Sequence, residues 1–319
     1  MIDIIIPAYN AHKTISKALL SICMQTVNDK INVYIIDDCS DHDYKDIINK
    51  FKDRINIIEY KLDKNSGPGV ARQYGLDHSN GEYIYFLDAD DMFIDIYSLE
   101  TLLKNIKNND IICGNVYYEN YDNTILTISN DFSFQLHGKL YKRKYIDENK
   151  FQFNDSRNGE DNCFNRLLKI GTDEYSYINS DVLLYSCTEG SITNNIEDYC
   201  YNEVPILCEN MLWMAEEADK RGFDEYKIIY ELYNELIHFS NVYVKYFKTK
   251  SDVVKLKDSF NKLYKKINEY GIELKVSDKN DIIFGNIGDN DVLNMVEYLF
   301  FNLSKKIYND WHNMDKKVV

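Results

Sequence analysis

The sequence predicts an α/β fold: a central, mostly parallel sheet flanked by helices, followed by a helical C-terminal subdomain. Two observations carry this. In the first third, short β-branched or aromatic runs alternate with segments of helical periodicity, and such alternation predicts a parallel sheet with helices on both faces. From about Glu197 onward the spacing of apolar residues becomes helical, which places a boundary near residue 200 and gives two regions, 1–200 and 201–319.

Taken in order, Ile2 to Ile6 is a strand broken by Pro7-Ala8-Tyr9-Asn10. Lys13 to Gln25 follows as a helix with Ile15, Ala18, Leu19 and Ile22 on one face. Ile31 to Ile36 is a second buried strand, stopped by Asp37-Asp38-Cys39-Ser40. Tyr44 to Phe51 reads as helix, Ile55 to Tyr60 as strand, and Val70 to His78 as helix. Asn80-Gly81 turns the chain into the strand Tyr83 to Leu87. Ile111 to about Ser191 reads as mixed strands and loops. Beyond it, Ile229, Leu232, Leu236, Phe239, Tyr243 and Tyr246 repeat at helical spacing, as do Val292, Met295, Leu299, Leu303 and Ile307; Asp281 to Phe284 between them is strand-like.

Composition narrows the function classes. The chain has 319 residues, 45% hydrophobic, too rich in apolar groups for disorder and long enough for a core plus an appended subdomain. Its formal charge of -15 argues against a nucleic-acid-binding face, which needs a basic surface. The seven cysteines are scattered without a C-x-x-C pair, as expected of thiols in a reducing compartment. The start lacks the basic lead and apolar length of a signal peptide, and no apolar stretch reaches the ~18 residues of a membrane span. A cytoplasmic protein is expected. Lys245 to Lys266 is locally basic; this is a solvated face or a weak attraction to the inner face of an anionic membrane.

In parallel sheets ligands sit beyond the carboxyl ends of the strands. Pro7-Ala8-Tyr9-Asn10, Asp37-Asp38 and Asp88-Ala89-Asp90-Asp91 each follow such an end, so three polar clusters converge on one crevice. Asp88 and Asp90 alternate, which points both carboxylates the same way. Two such carboxylates can hold an oxygen-seeking cation, Mn²⁺ or Mg²⁺, and a cation there can neutralise a departing diphosphate. The same acids would equally serve a solvated turn or a helix N-cap. Tyr9 could stack on a nucleobase and Asp38 could accept a base N–H; a core-edge tyrosine and a capping aspartate are the plainer readings.

In their order, Ile4 to Asn10, Ile35-Ile36-Asp37-Asp38-Cys39-Ser40-Asp41, Asn65-Ser66-Gly67-Pro68-Gly69-Val70-Ala71-Arg72 and Phe86-Leu87-Asp88-Ala89-Asp90-Asp91 resemble the family 2 glycosyltransferases of the GT-A fold. Gly159-Glu160-Asp161 is similar to the family's acidic pair ending in the catalytic base, and Leu184 to Thr193 to the strand and loop that close the catalytic domain. The resemblance covers roughly residues 1–195 and implies a metal-dependent, inverting hexosyl- or N-acetylhexosaminyl-transferase. The donor would be a nucleotide-sugar, usually a UDP-sugar, and the acceptor a glycan, a lipid-linked glycan or a protein. It also implies roles. Pro7, Ala8, Tyr9, Asn10 and Asp38 would surround the base. Asn65 and Arg72 would lie near the nucleotide and its phosphates, with Asp88 and Ala89 on the ribose side. Asp90 would be the metal ligand and Asp161 the general base. Glu160, His137 and Ser191 are accessory or acceptor-side candidates. The sequence departs from the family's pattern at Gln73, where an Asn often follows the Arg, and at His137, where an aromatic residue is frequent.

Rival classes remain distinguishable. Phe86-Leu87-Asp88-Ala89-Asp90 also fits a haloacid-dehalogenase-type phosphatase, whose motif lies on its first strand, not after three others. No G-x-G-x-x-G follows the first strand, against a nicotinamide dehydrogenase. A non-catalytic sugar-nucleotide-binding protein would have no need of both Asp90 and Asp161. Tyr226 to Phe247 is a candidate dimer surface.

Overall fold

A computed structural model describes residues 1–119, 125–128, 135–186 and 196–242, with scattered positions from 259 to 270. The chain divides into two compact units, Met1–Ser191 and Ile192–Val319.

In the first unit, β1 (Ile2–Ala8), α1 (Ile15–Cys23), β2 (Ile31–Asp37), α2 (Lys45–Ile48), β3 (Asn56–Lys61), α3 (Pro68–His78) and β4 (Tyr83–Phe86) alternate as the pattern predicts. β1 pairs in parallel with β2 and β4, and β2 with β3. The register sets Ala8 beside Asp37 and Asp37 beside Lys61, so the polar clusters end level at one edge. The expected helix at Tyr44–Phe51 shrinks to the single turn of α2, which is too short to bury a face.

The rest of the unit is more regular than its sequence pattern shows. It adds β5 (Met92–Phe93), α4 (Ser98–Ile106), β6 (Ile111–Glu119), β7 (Ile125–Ile128), β8 (Lys139–Lys142), α5 (Arg143–Asn149), α6 (Glu160–Ile170) and β9 (Tyr175–Tyr185). The sheet order is β3-β2-β1-β4-β8-β6-β9-β5, with β7 on β6. β8 enters antiparallel between β4 and β6, β6 and β9 run parallel, and β5 returns antiparallel on β9. The parallel half is therefore followed by a mixed half. One consequence matters for the site: an antiparallel strand begins where its neighbours end, so β8 starts at the carboxyl edge of β4. The core joins Ile2, Ile4 and Ile6 of β1, Val33 and Ile35 of β2, and Ile15, Leu19 and Ile22 of α1.

The second unit contains α7 (Ile196–Lys220) and α8 (Glu225–Val242), which pack on each other; Leu207, Met211 and Met214 of α7 and Ile228 and Leu232 of α8 are buried. No described helix is long and apolar enough to cross a membrane. The repeat at 292–307, the strand-like stretch at 281–284, most of the basic stretch 245–266 and Ser191 lie outside the described residues.

Candidate active site

The site edge begins with two strained corners. Asn10 after β1 and Cys39 after β2 both adopt positive φ, 50° and 65°. Asn tolerates this region better than most side chains; Cys39 there is unusual, and such strain collects at functional sites. The corners are stitched together: Asn10 N–H donates to Ser40 Oγ at 2.9 Å, Asn10 Nδ2 to Asp41 Oδ2 at 3.1 Å, and Asp41 N–H returns a bond to Asn10 Oδ1 at 3.0 Å. Asn10 thus acts on protein. Tyr9 beside it is 51% exposed, open to a stacking partner, while Ala8 is buried and Pro7 half-buried. Asp38 is buried, and its two oxygens accept Ser66 N–H at 2.8 Å and Gly67 N–H at 2.7 Å. It therefore caps the turn into α3; each oxygen keeps a second lone pair for a ligand. Asn65 is half-buried in that turn.

The acidic cluster lies after β4. Asp91 is fully buried; its Oδ1 accepts Ser186 N–H at 2.9 Å, and its Oδ2 has no hydrogen-bond partner. His137, just before β8, is also buried, and its Nε2 lies 3.3 Å from Asp88 Oδ2 and 3.5 Å from Asp91 Oδ2. Its Nδ1 has no partner. One ligand atom each from Asp88, Asp91 and His137 lie within 4.8 Å of one another. Adjacent ligands of an octahedral ion with ~2.1 Å bonds stand about 3 Å apart, so the group suits a divalent cation, and the orphaned Asp91 oxygen fits the same reading. Asp90, the ligand expected from the resemblance, is half-buried beside this group and is not one of its three members.

Electrostatics inside the cluster follow from burial and charge. Burial and the neighbouring Asp88 and Asp90 push the Asp91 carboxyl well above its ordinary range, against the pull of His137. Asp88 is also desolvated, but Arg72 and His137 hold its carboxyl well below the usual range. Burial opposes the charged imidazole of His137; the bond to Asp88 and the charges of Asp91, Asp88 and Asp161 outweigh it and raise the pKa.

Arg72, near the start of α3, is 5% exposed. It donates from Nη1 to Glu160 Oε1 at 2.6 Å and from Nη2 to Asp88 Oδ1 at 2.7 Å. Glu160 and Asp161 open α6 behind Gly159, which takes φ 73°. Glu160 is buried, and desolvation with the adjacent Asp161 pushes its carboxyl up to about 7 despite Arg72. Asp161 is half-buried, and its charge reaches Arg72, Glu160 and His137.

The wall beyond His137 is aromatic. The Tyr185 ring lies 4.9 Å from His137 and 5.0 Å from Tyr118, whose hydroxyl donates to Gln135. Under the 135–138 turn, Lys139 is wholly buried, and its ammonium donates to the carbonyls of Gln135 and, at 3.5 Å, His137. Burial lowers its pKa to about 8. Gly138 closes the turn at φ 69°, where a Cβ would stand 2.7 Å from Val116 Cγ2.

The structure thus gathers Asp88, Ala89, Asp90, Arg72, His137, Glu160 and Asp161 at one edge, with Pro7, Ala8, Tyr9 and Asp38 at the ends of the adjoining strands. Tyr185 and Ser186 lie in the stretch 184–193 that the resemblance covers, but neither they nor Tyr118 and Lys139 were given a role from the sequence. Tyr118 and Lys139 lie on β6 and β8, whose pairing joins distant parts of the chain, so neighbouring residues gave them no signal.

An open sheet with its ligand edge at the ends of β1, β2 and β4 and an acidic group beyond β4 defines a nucleotide-diphospho-sugar transferase of the GT-A class. The chain belongs to glycosyl transferase family 2, whose description matches residues 3–166. Glycosyltransferase GlyA of Streptococcus pneumoniae is 28% identical over 221 residues, 60% of this chain and 31% of that protein. The poly(ribitol-phosphate) β-N-acetylglucosaminyltransferases TarS and TarP of Staphylococcus aureus are 25% and 28% identical, over 58% and 55% of this chain and 35% and 59% of theirs. The chain therefore spans about a third of the length of GlyA and TarS. Residues 1–349 of TarS in complex with UDP-GlcNAc share the fold at a TM-score of 0.70 and 20% identity, covering 82% of this chain and 80% of that one. A mannosyltransferase of Pyrobaculum calidifontis in complex with GDP-Man and Mn²⁺ follows at 0.51 and 16%, covering 66% and 63%.

Proposed function

We propose that the protein transfers a sugar from a UDP-sugar to an acceptor hydroxyl with inversion at the anomeric carbon, assisted by Mn²⁺ or Mg²⁺. What supports this reading is the Arg72 bridge, which ties Asp88 of the Asp88–Asp91–His137 group to Glu160, the residue before Asp161 at the start of α6. A cation held by Asp88, Asp91 and His137, with Asp90 alongside, would supply positive charge for the diphosphate of the leaving group.

The chain's own residues do the rest. Tyr9 stacks on the base, and Asp38 offers its remaining lone pairs to a base N–H. Asp161 takes the proton of the acceptor hydroxyl while that oxygen bonds to the anomeric carbon. UDP departs with the electron pair of the broken bond. One in-line step needs a single base and no covalent intermediate. The UDP-GlcNAc bound by TarS makes that sugar the first donor to try, and a glycan, lipid-linked glycan or protein is the acceptor class. Homodimerisation through the C-terminal helices remains part of the proposal, checked by light scattering.

The test is calorimetry with UDP and Mn²⁺, then UDP release from a panel of UDP-sugars and GDP-mannose. Binding of UDP only with the cation, and release from one UDP-sugar, is the expected result. A protein that binds no UDP and cleaves no donor sinks the reading.

A further inference from the structure

The resemblance implies contact of Arg72 with the nucleotide, yet each terminal nitrogen of its guanidinium already donates to a carboxylate, while the buried Nε has no hydrogen-bond partner. One terminal nitrogen reaches Asp88 beyond β4, the other Glu160 at the head of α6, at 2.7 and 2.6 Å. The surrounding residues make this bridge one part of a longer seam. A Cβ on Gly69 would lie 2.5 Å from Glu160 Cγ and 3.2 Å from the Asn154 carbonyl, so the first turn of α3 rests directly on the segment leading to α6. Gly67, with φ +97°, brings its α-carbon region against Arg157, 3.6 Å from a Cβ placed there. Gln73 Oε1 accepts Phe153 N–H at 2.9 Å, while its Nε2 donates to Asp77 at 2.7 Å. Residues 67, 69, 72 and 73 thus hold the chain from Phe153 to Glu160 at successive points.

We infer that Arg72 is a positioning residue: with Glu160 it braces the start of α6, and so Asp161, against Asp88. This rests on the reading of Asp161 as the general base. The fork geometry explains why an arginine serves here. Its planar fork spans two carboxylates in fixed directions, which a lysine's single ammonium cannot. Glu160, the neighbour of the base, is consumed by the brace, which leaves proton transfer to Asp161. Gln73, at first sight a neutral departure from an Asn, has a use in the same seam, because its longer side chain reaches the Phe153 amide.

The test compares Arg72→Lys and Glu160→Gln with the wild type. A brace predicts a UDP dissociation constant within about threefold of wild type for both, with kcat falling about a hundredfold in Arg72→Lys and about tenfold in Glu160→Gln, because a small misplacement of a reacting group is enough to slow the step. A tenfold or greater loss of UDP affinity in Arg72→Lys marks a phosphate ligand and overturns the inference, as does wild-type kcat in Glu160→Gln. Hydrogen exchange on the ligand-free protein gives a readout independent of activity. The peptide 159–167 contains the Cys163 amide bonded to the Gly159 carbonyl at 3.1 Å. Faster exchange there in Arg72→Lys is expected; unchanged exchange overturns the brace. A wild type that binds no UDP defeats the proposed function instead, and the exchange experiment still decides the brace.

Discussion

Gly69 and Glu160 pack so closely that a Cβ on the glycine would stand 2.5 Å from the glutamate Cγ. The contact joins the first turn of α3 to the acidic pair that opens α6, 91 residues apart by number. Glu160 cannot swing aside cheaply, because its carboxylate is held by Arg72. Gly69→Ala should therefore destabilise the fold by about 1–3 kcal/mol through overpacking. Urea unfolding checks this; a midpoint equal to wild type refutes the tight packing.

Asp161→Asn removes the proposed base without altering side-chain size. UDP affinity should stay near wild type while turnover drops by ~10²–10⁴. Calorimetry and steady-state kinetics on the same preparation separate the two effects. Full activity in this variant moves the base elsewhere.

His137→Ala takes one nitrogen ligand from the Asp88–Asp91–His137 group. Mn²⁺ affinity, followed by electron paramagnetic resonance, should fall by at least about tenfold. Chelation with EDTA should abolish transfer in the wild type, and added Mn²⁺ or Mg²⁺ should restore it. If His137→Ala binds Mn²⁺ as the wild type does, the ion is held without the imidazole, and Asp90 becomes the ligand to examine.

Lys139 carries a pH signature. Its folded pKa, about 8, lies below the ordinary 10.5 because burial penalises the ammonium. Between these values the unfolded chain binds more protons than the folded one, so this group's contribution to stability rises with pH across that window. Below about pH 8 the folded chain carries the full penalty of the buried charge. Lys139→Met lacks the group, so its stability relative to wild type should be greatest near pH 7 and shrink toward pH 10. Denaturant midpoints of both proteins at the two pH values give the difference. A gap that does not change with pH shows that the ammonium is not penalised by its site.

Much of the site edge was legible in the chain. β1, β2, β3 and β4 each form where β-branched or aromatic runs stop at a polar cluster, and both the run and the stop are local properties. α4 carries the same kind of local signal, Leu99, Leu102, Leu103 and Ile106 at i, i+3, i+4 and i+7, although the sequence reading did not name it. The mixed half of the sheet, by contrast, was illegible. β8 and β5 are only 4 and 2 residues long, and strands that short show no periodicity. Their pairing depends on partners elsewhere in the chain.

The sequence by itself determined the alternating strands, the acidic cluster after β4 and the order of the motifs, because each rests on neighbouring residues. Only the tertiary structure decided what those motifs touch. The antiparallel entry of β8 delivers His137 to Asp88, 49 residues earlier, and the packing of α3 on the α6 segment turns Arg72 toward Glu160, 88 residues later. In a buried, low-dielectric edge each charge takes the partner that the sheet order brings within reach. That is why Asp38 is shared with the backbone of Ser66 and Gly67, and why Asp91, the last acid of the cluster, lies against His137.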